Sequence, residues 1–406
     1  MKIKIAVIGA GGRGMFSYAP YALNNSADME ITAVAEPKDF LREEFKEKYN
    51  LKPDMVFKCW TELLEKPKLA DGLFICTQDN MHFEPAMKAI EKGYKYILLE
   101  KPISPSLEEC KILAKTAVDN GVNIQVCHSL RYTPFYRKLK ECIDSGIIGD
   151  LININHTEGV QFGHFSHSFV RGDWSNSDNS CPMILAKCCH DTDLLLYLTD
   201  RSCVNISSYG SLIHFKKENA PVGSADRCID CKVKETCPYN AVRMYKDSRE
   251  FHILAVEKEG FLSLNDAMWN GRYGRCAYKC DNNVVDHQVV NMLFDNDSTA
   301  TLTLCAYEDG RKTYITGTKG KIYASFSENI TVEDFVMGHT TIYNIAKQTA
   351  GHGGADEIMI RDFISMIENN TEGFTNIQTS VQSHAMCHAA EISRLEKRNV
   401  ELDELL

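Results

Sequence analysis

Short apolar segments alternate with amphipathic segments over the first third of the chain. The apolar segments are rich in aliphatic side chains and cover residues 3–8, 31–35, 72–76, 96–99 and 123–127. Residues 83–92 and 107–120 between them have helical periodicity, and Ser106 can cap the second helix. Strands that alternate with helices form a parallel, doubly wound sheet. The pattern therefore predicts an α/β fold, with a first domain over residues 1–130.

The pattern changes in the rest of the chain, residues 131–406. Helical periodicity covers residues 135–145 and 183–198, and a strand is predicted over residues 151–156. β-branched residues dominate 299–306 and 312–316, and the glycine-containing segment 317–320 is a hairpin turn. A broad, mostly antiparallel open sheet is expected here. A cysteine-rich insert at about residues 224–245 interrupts it.

Composition narrows the class of protein. A chain of 406 residues with 44% hydrophobic and 25% charged residues is expected to form two or three globular domains. Its net charge of −10 argues against a general nucleic-acid binder, which needs a basic face. The chain contains no apolar run long enough for a membrane span, and the first strand leaves no room for a signal peptide. A cytoplasmic protein with sixteen mostly free cysteines is expected.

A glycine-rich turn follows the first strand. It matches G-x-G-x-x-G and consists of Gly9, Ala10, Gly11, Gly12, Arg13 and Gly14. Such a turn lets backbone N–H groups approach a pyrophosphate, which is typical of a Rossmann domain. Glu36 ends the next strand at the distance expected for a carboxylate that accepts both ribose hydroxyls. The sequence therefore favours NAD over NADP, although Lys38 leaves NADP open.

Two further strand ends carry polar residues. The strand 72–76 leads into Cys76, Thr77, Asn80 and His82, which are expected near the nicotinamide ribose. His82 is equally well explained as a residue that only begins a helix. The strand 96–99 leads into Glu100, Lys101 and Pro102. Ligands bind at the carboxyl ends of parallel strands, so Glu100 and Lys101 are predicted to contact the cofactor.

These motifs together resemble the Gfo/Idh/MocA oxidoreductase family. The resemblance covers roughly the first 130 residues and rests on residues 9–14, Glu36, the Cys76–His82 segment and Glu100-Lys101-Pro102. It implies an N-terminal Rossmann domain and a C-terminal α/β domain with a large open sheet. It further implies a pyridine nucleotide, a sugar or cyclitol substrate and hydride transfer at a secondary alcohol. Lys101 then takes the position of the family's catalytic lysine, and the outer face of the large sheet is expected to form a homo-oligomer.

His190 is the second catalytic candidate. Family members often have Asp-x-x-x-His on this helix, but Ala186 stands here in the position of the aspartate. Either Lys101 and His190 share the proton transfer, or Lys187 takes a new role. Lys187 and Asp191 share one helix face with His190 and are predicted to bind substrate. The alternative is an exposed Lys187–Asp191 ion pair.

The remaining candidate substrate residues suit a polyhydroxylated ligand, which needs hydrogen-bonding groups and an aromatic face. They are Arg131, Tyr132, Glu158, His167, Arg171 and Trp174. A surface loop explains any one of the residues between 163 and 174 equally well. His352 and Asp356 either close over the substrate or only form a helix start.

The insert carries the metal candidates Cys228, Cys231 and Cys237. Their C-x2-C-x5-C spacing suits a structural zinc ion, with Cys276, Cys280 or His252 as the distant fourth ligand. Free thiols and an iron–sulfur cluster remain alternatives, although three cysteines are one short of a cluster's usual set.

The sequence thus predicts an NAD-dependent oxidoreductase that acts on a secondary hydroxyl or ketone of a sugar, glycoside or cyclitol. Two rivals remain: the first retains every motif, and the second is opposed by the presence of Lys101 and His190 but kept open by Ala186. One is a glycoside hydrolase or lyase that recycles NAD through transient oxidation and elimination. The other is a non-catalytic nucleotide sensor on the same fold.

Overall fold

Six parallel strands form the first sheet. The structure, a computed structural model, describes residues 2–326, 328–346 and 354–406. The strands are Ile3–Ile8 (β1), Met29–Ala35 (β2), Val56–Phe57 (β3), Gly72–Ile75 (β4), Tyr96–Leu99 (β5) and Asn123–Val126 (β6). Their spatial order is β3-β2-β1-β4-β5-β6. Successive strands are thus added on one side of β1 up to β3 and on its other side from β4 onward. This doubly wound order confirms the predicted parallel sheet.

Five helices connect these strands. They are Tyr21–Asn24 (α1), Asp39–Lys48 (α2), Trp60–Glu65 (α3), Phe83–Glu91 (α4) and Leu107–Asp119 (α5). Ser106 caps α5 as predicted, since its side chain accepts a hydrogen bond from the backbone N–H of Glu109. A single π-helical turn over Gly14–Tyr18 replaces the regular helix expected after the glycine turn.

The second sheet has nine strands. They are Leu151–Val160 (β7), Cys203–Ser211 (β8), His287–Phe294 (β9), Thr299–Cys305 (β10), Asp309–Gly317 (β11), Gly320–Ser325 (β12), Asn329–Asp334 (β13), Thr340–Asn344 (β14) and Val400–Glu401 (β15). Their order is β14-β13-β12-β11-β7-β10-β9-β8-β15. Only β7 and β10 pair in parallel, which confirms the predicted open, mostly antiparallel sheet.

Three helices follow the first sheet and cover the second. They are Pro134–Asp144 (α6), Phe162–Phe165 (α7) and Met183–Thr199 (α8). Almost all of α8 is buried, because the second sheet lies on one side of it and a C-terminal helix on another. Its buried carboxylates therefore need cationic partners. Arg131 supplies one of these partners, donating to both carboxylate oxygens of Asp193 at 2.6 and 2.7 Å.

The insert is longer than predicted. It occupies residues 212–286 between β8 and β9, and it contains the helices Ala241–Asp247 (α9), Arg249–His252 (α10) and Leu264–Asn270 (α11). These helices bury a small core of their own around Tyr245, Val256 and Met268. The cysteine-rich segment is therefore one part of a separately packed subdomain.

The last two helices return to the first sheet. They are Ala355–Asn369 (α12) and Ile377–Glu396 (α13). Phe363 of α12 packs on Phe74 with ring centroids 5.4 Å apart, and Ile377 joins the core on the other face of the sheet. Hydrophobic contacts thus cross the domain boundary predicted at residue 130, which stays a prediction. Within the described ranges, no helix is long and apolar enough to cross a membrane.

We expect Asp193→Ala to destabilise the protein strongly. The substitution leaves the guanidinium of Arg131 buried without its carboxylate, which costs about 3 kcal/mol or more in the free energy of unfolding. Denaturant-induced unfolding measures this loss. As a control, Asp144→Ala removes the exposed partner of Lys140 and should cost less than about 1 kcal/mol. Equal losses in the two variants would contradict the structural role of the buried pair.

Candidate active site at the edge of the first sheet

The glycine turn is crowded on its protein side and open on the other. Gly9 has φ +92°, and a Cβ built on it would lie 2.6 Å from the carbonyl oxygen of Cys76. A Cβ on Gly14 would overlap the carbonyl oxygen of Gly9. By contrast, a Cβ on Gly11 would meet no atom within 4 Å. The backbone around Gly11 therefore forms an open cradle that fits the pyrophosphate of a dinucleotide.

Glu36 lies at the end of β2 beside this cradle. Its Oε2 accepts a hydrogen bond from the backbone N–H of Ala10 at 2.8 Å. Its Oε1 accepts one from the backbone N–H of Lys38 at 3.0 Å. These contacts fix the carboxylate next to the turn, and each oxygen retains a free lone pair. Ribose hydroxyls can donate to it, whereas a 2′-phosphate would be repelled.

Glu100 joins the glycine turn to β5. Its Oε1 accepts from Nε of Arg13 at 2.9 Å and from the hydroxyl of Tyr18, and its Oε2 accepts from the backbone N–H of Lys101 at 3.0 Å. Burial on its own would raise the pKa of Glu100, but the charges of Arg13 and Lys101 outweigh it and lower the pKa. Glu100 and Arg13 were predicted as cofactor ligands, and in the structure they form an ion pair with each other.

Lys101 reaches from the first domain to α8. The Lys101–Pro102 peptide bond is cis, and Nζ of Lys101 donates to the carbonyl oxygen of Ala186 at 2.9 Å. Burial would lower the pKa of Lys101, but the charges of Cys189, Asp79 and Glu100 outweigh it and raise the pKa. The amine is therefore protonated at neutral pH.

His190 lies one helical turn after Ala186 on α8. Lys101 contacts the helix at this turn, so the two predicted catalytic residues are neighbours. The ring of His190 meets His128 edge to face with centroids 5.8 Å apart. Burial and the charge of Arg131 lower the pKa of His128 well below its usual range, so this ring is neutral. His128 follows β6 directly, and the sequence analysis missed it.

His384 is a structural histidine. Its Nδ1 donates to the carbonyl oxygen of Ser380 at 2.7 Å, and its Nε2 accepts from the backbone N–H of Ile103 at 2.9 Å. Burial and the nearby His128 lower its pKa to about 3. The neutral ring therefore fixes the turn that follows Lys101.

The segment after β4 mainly supports the turn at Lys101. His82 is fully buried, with Nδ1 2.6 Å from the carbonyl oxygen of Pro102 and Nε2 3.1 Å from that of Thr77. Cys76 is buried beneath the glycine turn. The prediction that the side chain of His82 contacts the cofactor is therefore wrong, because it is fully buried, whereas the cofactor contact of Cys76 stays a prediction. Thr77 is half-buried and Asn80 exposed, so both remain candidates.

Trp174 makes a contact between the two domains. Its Nε1 donates to Oδ2 of Asp79 at 2.9 Å, and Ser180 donates to the same oxygen at 3.2 Å. Asp79 belongs to the first domain and was missed, because its partners are about 100 residues away in the sequence. The side chain of Trp174 is only partly buried, so its predicted substrate contact stays a prediction.

His167 and Arg171 anchor the insert. The ring of His167 stacks on Tyr273 at 4.6 Å, and its Nδ1 lies 3.1 Å from the hydroxyl of Tyr245. Arg171 is fully buried and donates to the carbonyl oxygens of Arg275 and Tyr239 at 2.8 and 2.7 Å. Their predicted role in substrate binding is wrong, because both side chains are enclosed by the subdomain that they hold.

Arg131 and Tyr132 are also interior residues. Besides the pairing of Arg131 with Asp193, the hydroxyl of Tyr132 donates to Asp362 at 2.8 Å and accepts from Gln125 at 3.0 Å. Tyr132 has no exposed surface. These contacts connect β6, α8 and α12, so the prediction that the two residues bind substrate is wrong.

Asp191 lies within a charged network between α8 and the second sheet. It accepts from Arg311 at 2.6 and 3.1 Å, and its Oδ1 lies 2.9 Å from Nε2 of His156. Burial would raise the pKa of Asp191, but Arg311 and then His156 hold it well below its usual range. Asp191 is fully buried and therefore cannot contact substrate, which corrects that prediction. The sequence analysis missed both partners.

Lys187 pairs with Glu158 instead of Asp191. Its Nζ lies 3.2 Å from Oε1 of Glu158, and Oε2 of Glu158 lies 2.9 Å from Nε of Arg311. The exposed Lys187–Asp191 ion pair is therefore ruled out. Burial and the charge of Lys187 lower the pKa of His164 to about 4, so His164 is a neutral neighbour. Lys187, whose side chain is 22% exposed, remains a candidate for substrate binding, whereas Glu158 is buried with both oxygens paired.

Four cysteines of the insert line one small pocket. They are Cys228, Cys231, Cys237 and Cys276. All sixteen cysteines lie in the described ranges, and all are free thiols. Nη2 of the buried Arg171 lies 3.7 Å from Sγ of Cys228. Among the residues that the structure describes, however, no group of three or more His, Cys, Asp or Glu side chains has the arrangement needed to hold a metal ion. The structural zinc therefore stays a prediction.

His352 lies outside the residues that the structure describes, so its predicted role stays a prediction.

Metal analysis tests the zinc prediction directly. Protein purified without chelator should contain about one zinc ion per chain, and Cys237→Ser should lose it because tetrahedral zinc needs four ligands. Cys59→Ser, at a thiol outside the insert, is the matched control and should retain it. Less than roughly a tenth of an equivalent in the wild-type chain would mean that the cysteines are plain thiols.

The open side of the glycine turn yields a second prediction. Gly11→Ala should leave the stability nearly unchanged, because its methyl group meets no protein atom within 4 Å. It should raise the dissociation constant of NADH about tenfold, since the methyl group occupies the space that the pyrophosphate needs. Calorimetric titration and thermal unfolding measure the two effects. Gly14→Ala, which overlaps a carbonyl oxygen, should instead lose stability. Unchanged NADH binding in Gly11→Ala would place the cofactor elsewhere.

Comparisons with known proteins agree with this geometry. The model of the oxidoreductase family's NAD-binding Rossmann fold matches residues 3–128, and the model of the family's C-terminal alpha/beta domain matches residues 140–402. The Bacillus subtilis protein YteT is 23% identical over 362 residues, which cover 83% of this chain and 82% of YteT. The scyllo-inositol 2-dehydrogenase (NAD(+)) of B. subtilis is 27% identical over 253 residues, which cover 59% of this chain and 69% of that protein.

A solved structure has the same fold. It is scyllo-inositol dehydrogenase from Lactobacillus casei with bound NAD(H) and scyllo-inositol. It superimposes with a TM-score of 0.68 at 17% identity, covering 99% of this chain and 100% of the other. The two family models together span most of the sequence and confirm the resemblance that the motifs indicated. The chain therefore belongs to the Gfo/Idh/MocA family of oxidoreductases and carries its NAD-binding Rossmann domain.

Proposed function

We propose that this protein is an NAD-dependent dehydrogenase that interconverts a secondary hydroxyl and a ketone of a cyclitol or sugar. The observation that carries the proposal is the contact of the Lys101 amine with Ala186, one turn before His190. This contact holds the Lys101 amine, which follows β5, against the turn of α8 that ends at His190. Relatives that act on scyllo-inositol support the substrate class. Glu36 beside the cradle supports NAD rather than NADP.

The protein's part in the reaction is to handle the hydroxyl proton. The nicotinamide, when bound, accepts or supplies the hydride. Lys101 is protonated at neutral pH, so its ammonium donates a hydrogen bond to the substrate oxygen and stabilises negative charge on it. His190 then takes the proton during oxidation, because a neutral imidazole has one ring nitrogen that can accept a proton. Ala186 supplies a carbonyl oxygen, not a carboxylate, to hold the lysine.

Lys187 is the best remaining candidate for binding a substrate hydroxyl. Lys187 is on α8, the helix that carries His190, and its side chain is 22% exposed, so it can reach a ligand while still paired with Glu158. Its ammonium has further N–H groups that can donate to hydroxyl groups of a cyclitol. His164, a neutral neighbour, adds a further hydrogen-bonding group.

A homo-oligomer formed through the second sheet belongs to the same proposal. The outer face of this sheet carries exposed apolar side chains on separate strands: Tyr209, Leu293, Tyr323 and Ile342. Apolar side chains spread over a broad sheet favour association with another protein surface. A second copy of the chain is the proposed occupant.

The substrate class can be tested with a panel of inositols, aldoses and glycosides. With NAD⁺, at least one cyclitol or sugar should give NADH absorbance, and the corresponding ketone should consume NADH. Lys101→Met should lower kcat at least about 100-fold, because it removes an acid–base group, and should leave the dissociation constant of NADH within about twofold. Lys115→Met, at an exposed lysine of α5, is the control and should match the wild type.

Three outcomes would change this assignment. Turnover of Lys101→Met within about tenfold of the wild type, or roughly 1.4 kcal/mol in activation free energy, would remove Lys101 from the reaction. Cleavage of a glycoside without net NADH would transfer the assignment to an NAD-recycling hydrolase or lyase. NADH binding without either activity would favour a nucleotide sensor.

A further inference from the structure

The insert subdomain reaches back over the glycine turn of the first domain. Lys258 follows its π-helical turn Ile253–Glu257, and the carbonyl oxygen of Lys258 accepts a hydrogen bond from Nζ of Lys38 at 3.2 Å. The ammonium of Lys258 lies 4.7 Å from the centre of the Phe16 ring. Lys38 follows β2, and Phe16 follows the glycine turn. A segment more than 200 residues away in sequence therefore closes one side of the dinucleotide cradle.

The ammonium of Lys258 lies beside the glycine backbone itself. A Cβ built on Gly12 would have Nζ of Lys258 as its one neighbour within 4 Å, at 3.6 Å. The adjacent Gly11 has open space at the same position. A pyrophosphate held by the N–H groups of this turn would thus lie next to a positive charge that comes from the second domain.

This charge has no acidic partner in ion-pair contact. Among the described residues, no carboxylate forms an ion pair with Lys258 or with Lys38. Burial and then the charge of Lys38 lower the pKa of Lys258. The carboxylates of Glu44 and Glu250 raise this pKa by a smaller amount. Two neighbouring ammonium groups, one of them half-buried, are electrostatically costly until an anion binds between or beside them.

We propose that Lys258 is a cofactor-binding residue whose ammonium pairs with the pyrophosphate of NAD across Gly11 and Gly12. The insert then acts as a strap that holds the dinucleotide from the side opposite the sheet. The position beside Gly12 favours the pyrophosphate over a 2′-phosphate, which would lie at Glu36 and Lys38. This inference rests on NAD binding by the first domain and is independent of the substrate.

Calorimetric titration of the full chain with ADP-ribose, NAD⁺, NADP⁺ and adenosine tests the proposal. Lys258→Met should weaken ADP-ribose binding about tenfold or more, as expected for the loss of one charge-assisted hydrogen bond, and should leave adenosine unchanged. Lys258→Arg should keep affinity within about threefold because it keeps the charge. Lys246→Met removes an exposed lysine of α9 and should bind like the wild type.

Hydrogen exchange of the wild-type chain provides a measurement that no variant can confound. ADP-ribose should slow amide exchange in residues 253–260 as well as in the glycine turn, because the strap closes on the ligand. Unaltered exchange in 253–260, or unaltered ADP-ribose affinity in Lys258→Met, would overturn the proposal. Loss of NADP⁺ binding alone would also overturn it, since it would assign Lys258 to a 2′-phosphate. These readouts do not depend on the cyclitol assay. ADP-ribose contains no nicotinamide, so its binding does not require the hydride transfer that the assay measures.

Discussion

The buried carboxylate of Glu100 is the contact on which the site depends. One of its oxygens holds Arg13 of the glycine turn, and the other holds the backbone of Lys101. The part of the protein that binds the dinucleotide and the part that handles the substrate proton are thus attached to a single charged group. Because that group is buried, it stays ionised only while Arg13 and Lys101 neutralise it. The spacing between cofactor and catalytic lysine is therefore fixed by electrostatics as much as by the sheet.

Much of the fold follows from local patterns in the sequence. β1 and β5 were predicted to the residue, because strands buried on both faces are continuous apolar runs with clear ends. β3 was missed, since two residues carry no pattern. β7 continues to Val160, beyond its predicted end, because its inward positions include the polar residues His156 and Glu158. Buried polar residues break the alternation on which strand prediction relies.

The site could be predicted only where local geometry defines it. The glycine turn, Glu36 and Lys101 are set by the order of strand, turn and helix, and the structure assembles them at one edge. Arg131, Arg171 and Asp191 were misassigned, because polar residues in a polar loop or on a helix face look accessible in a sequence. Their partners lie far away: Asp193 is 62 residues from Arg131, and Arg311 is 120 residues from Asp191. Nothing in the local pattern could show that these charges neutralise one another inside the protein.

The packing of α12 against the first sheet affects how the chain is made. Strands β1 to β6 are complete by Val126, yet Met359 and Phe363 of α12 and Ile377 of α13 complete the core on the two faces of that sheet. During synthesis, apolar surface on the nucleotide-binding domain therefore stays uncovered while more than half of the chain is made. The second domain is translated in that interval and can begin to collapse first. The core that supports the cofactor cradle is therefore complete only after α12 and α13 have been synthesised, and cofactor binding is expected to follow that step.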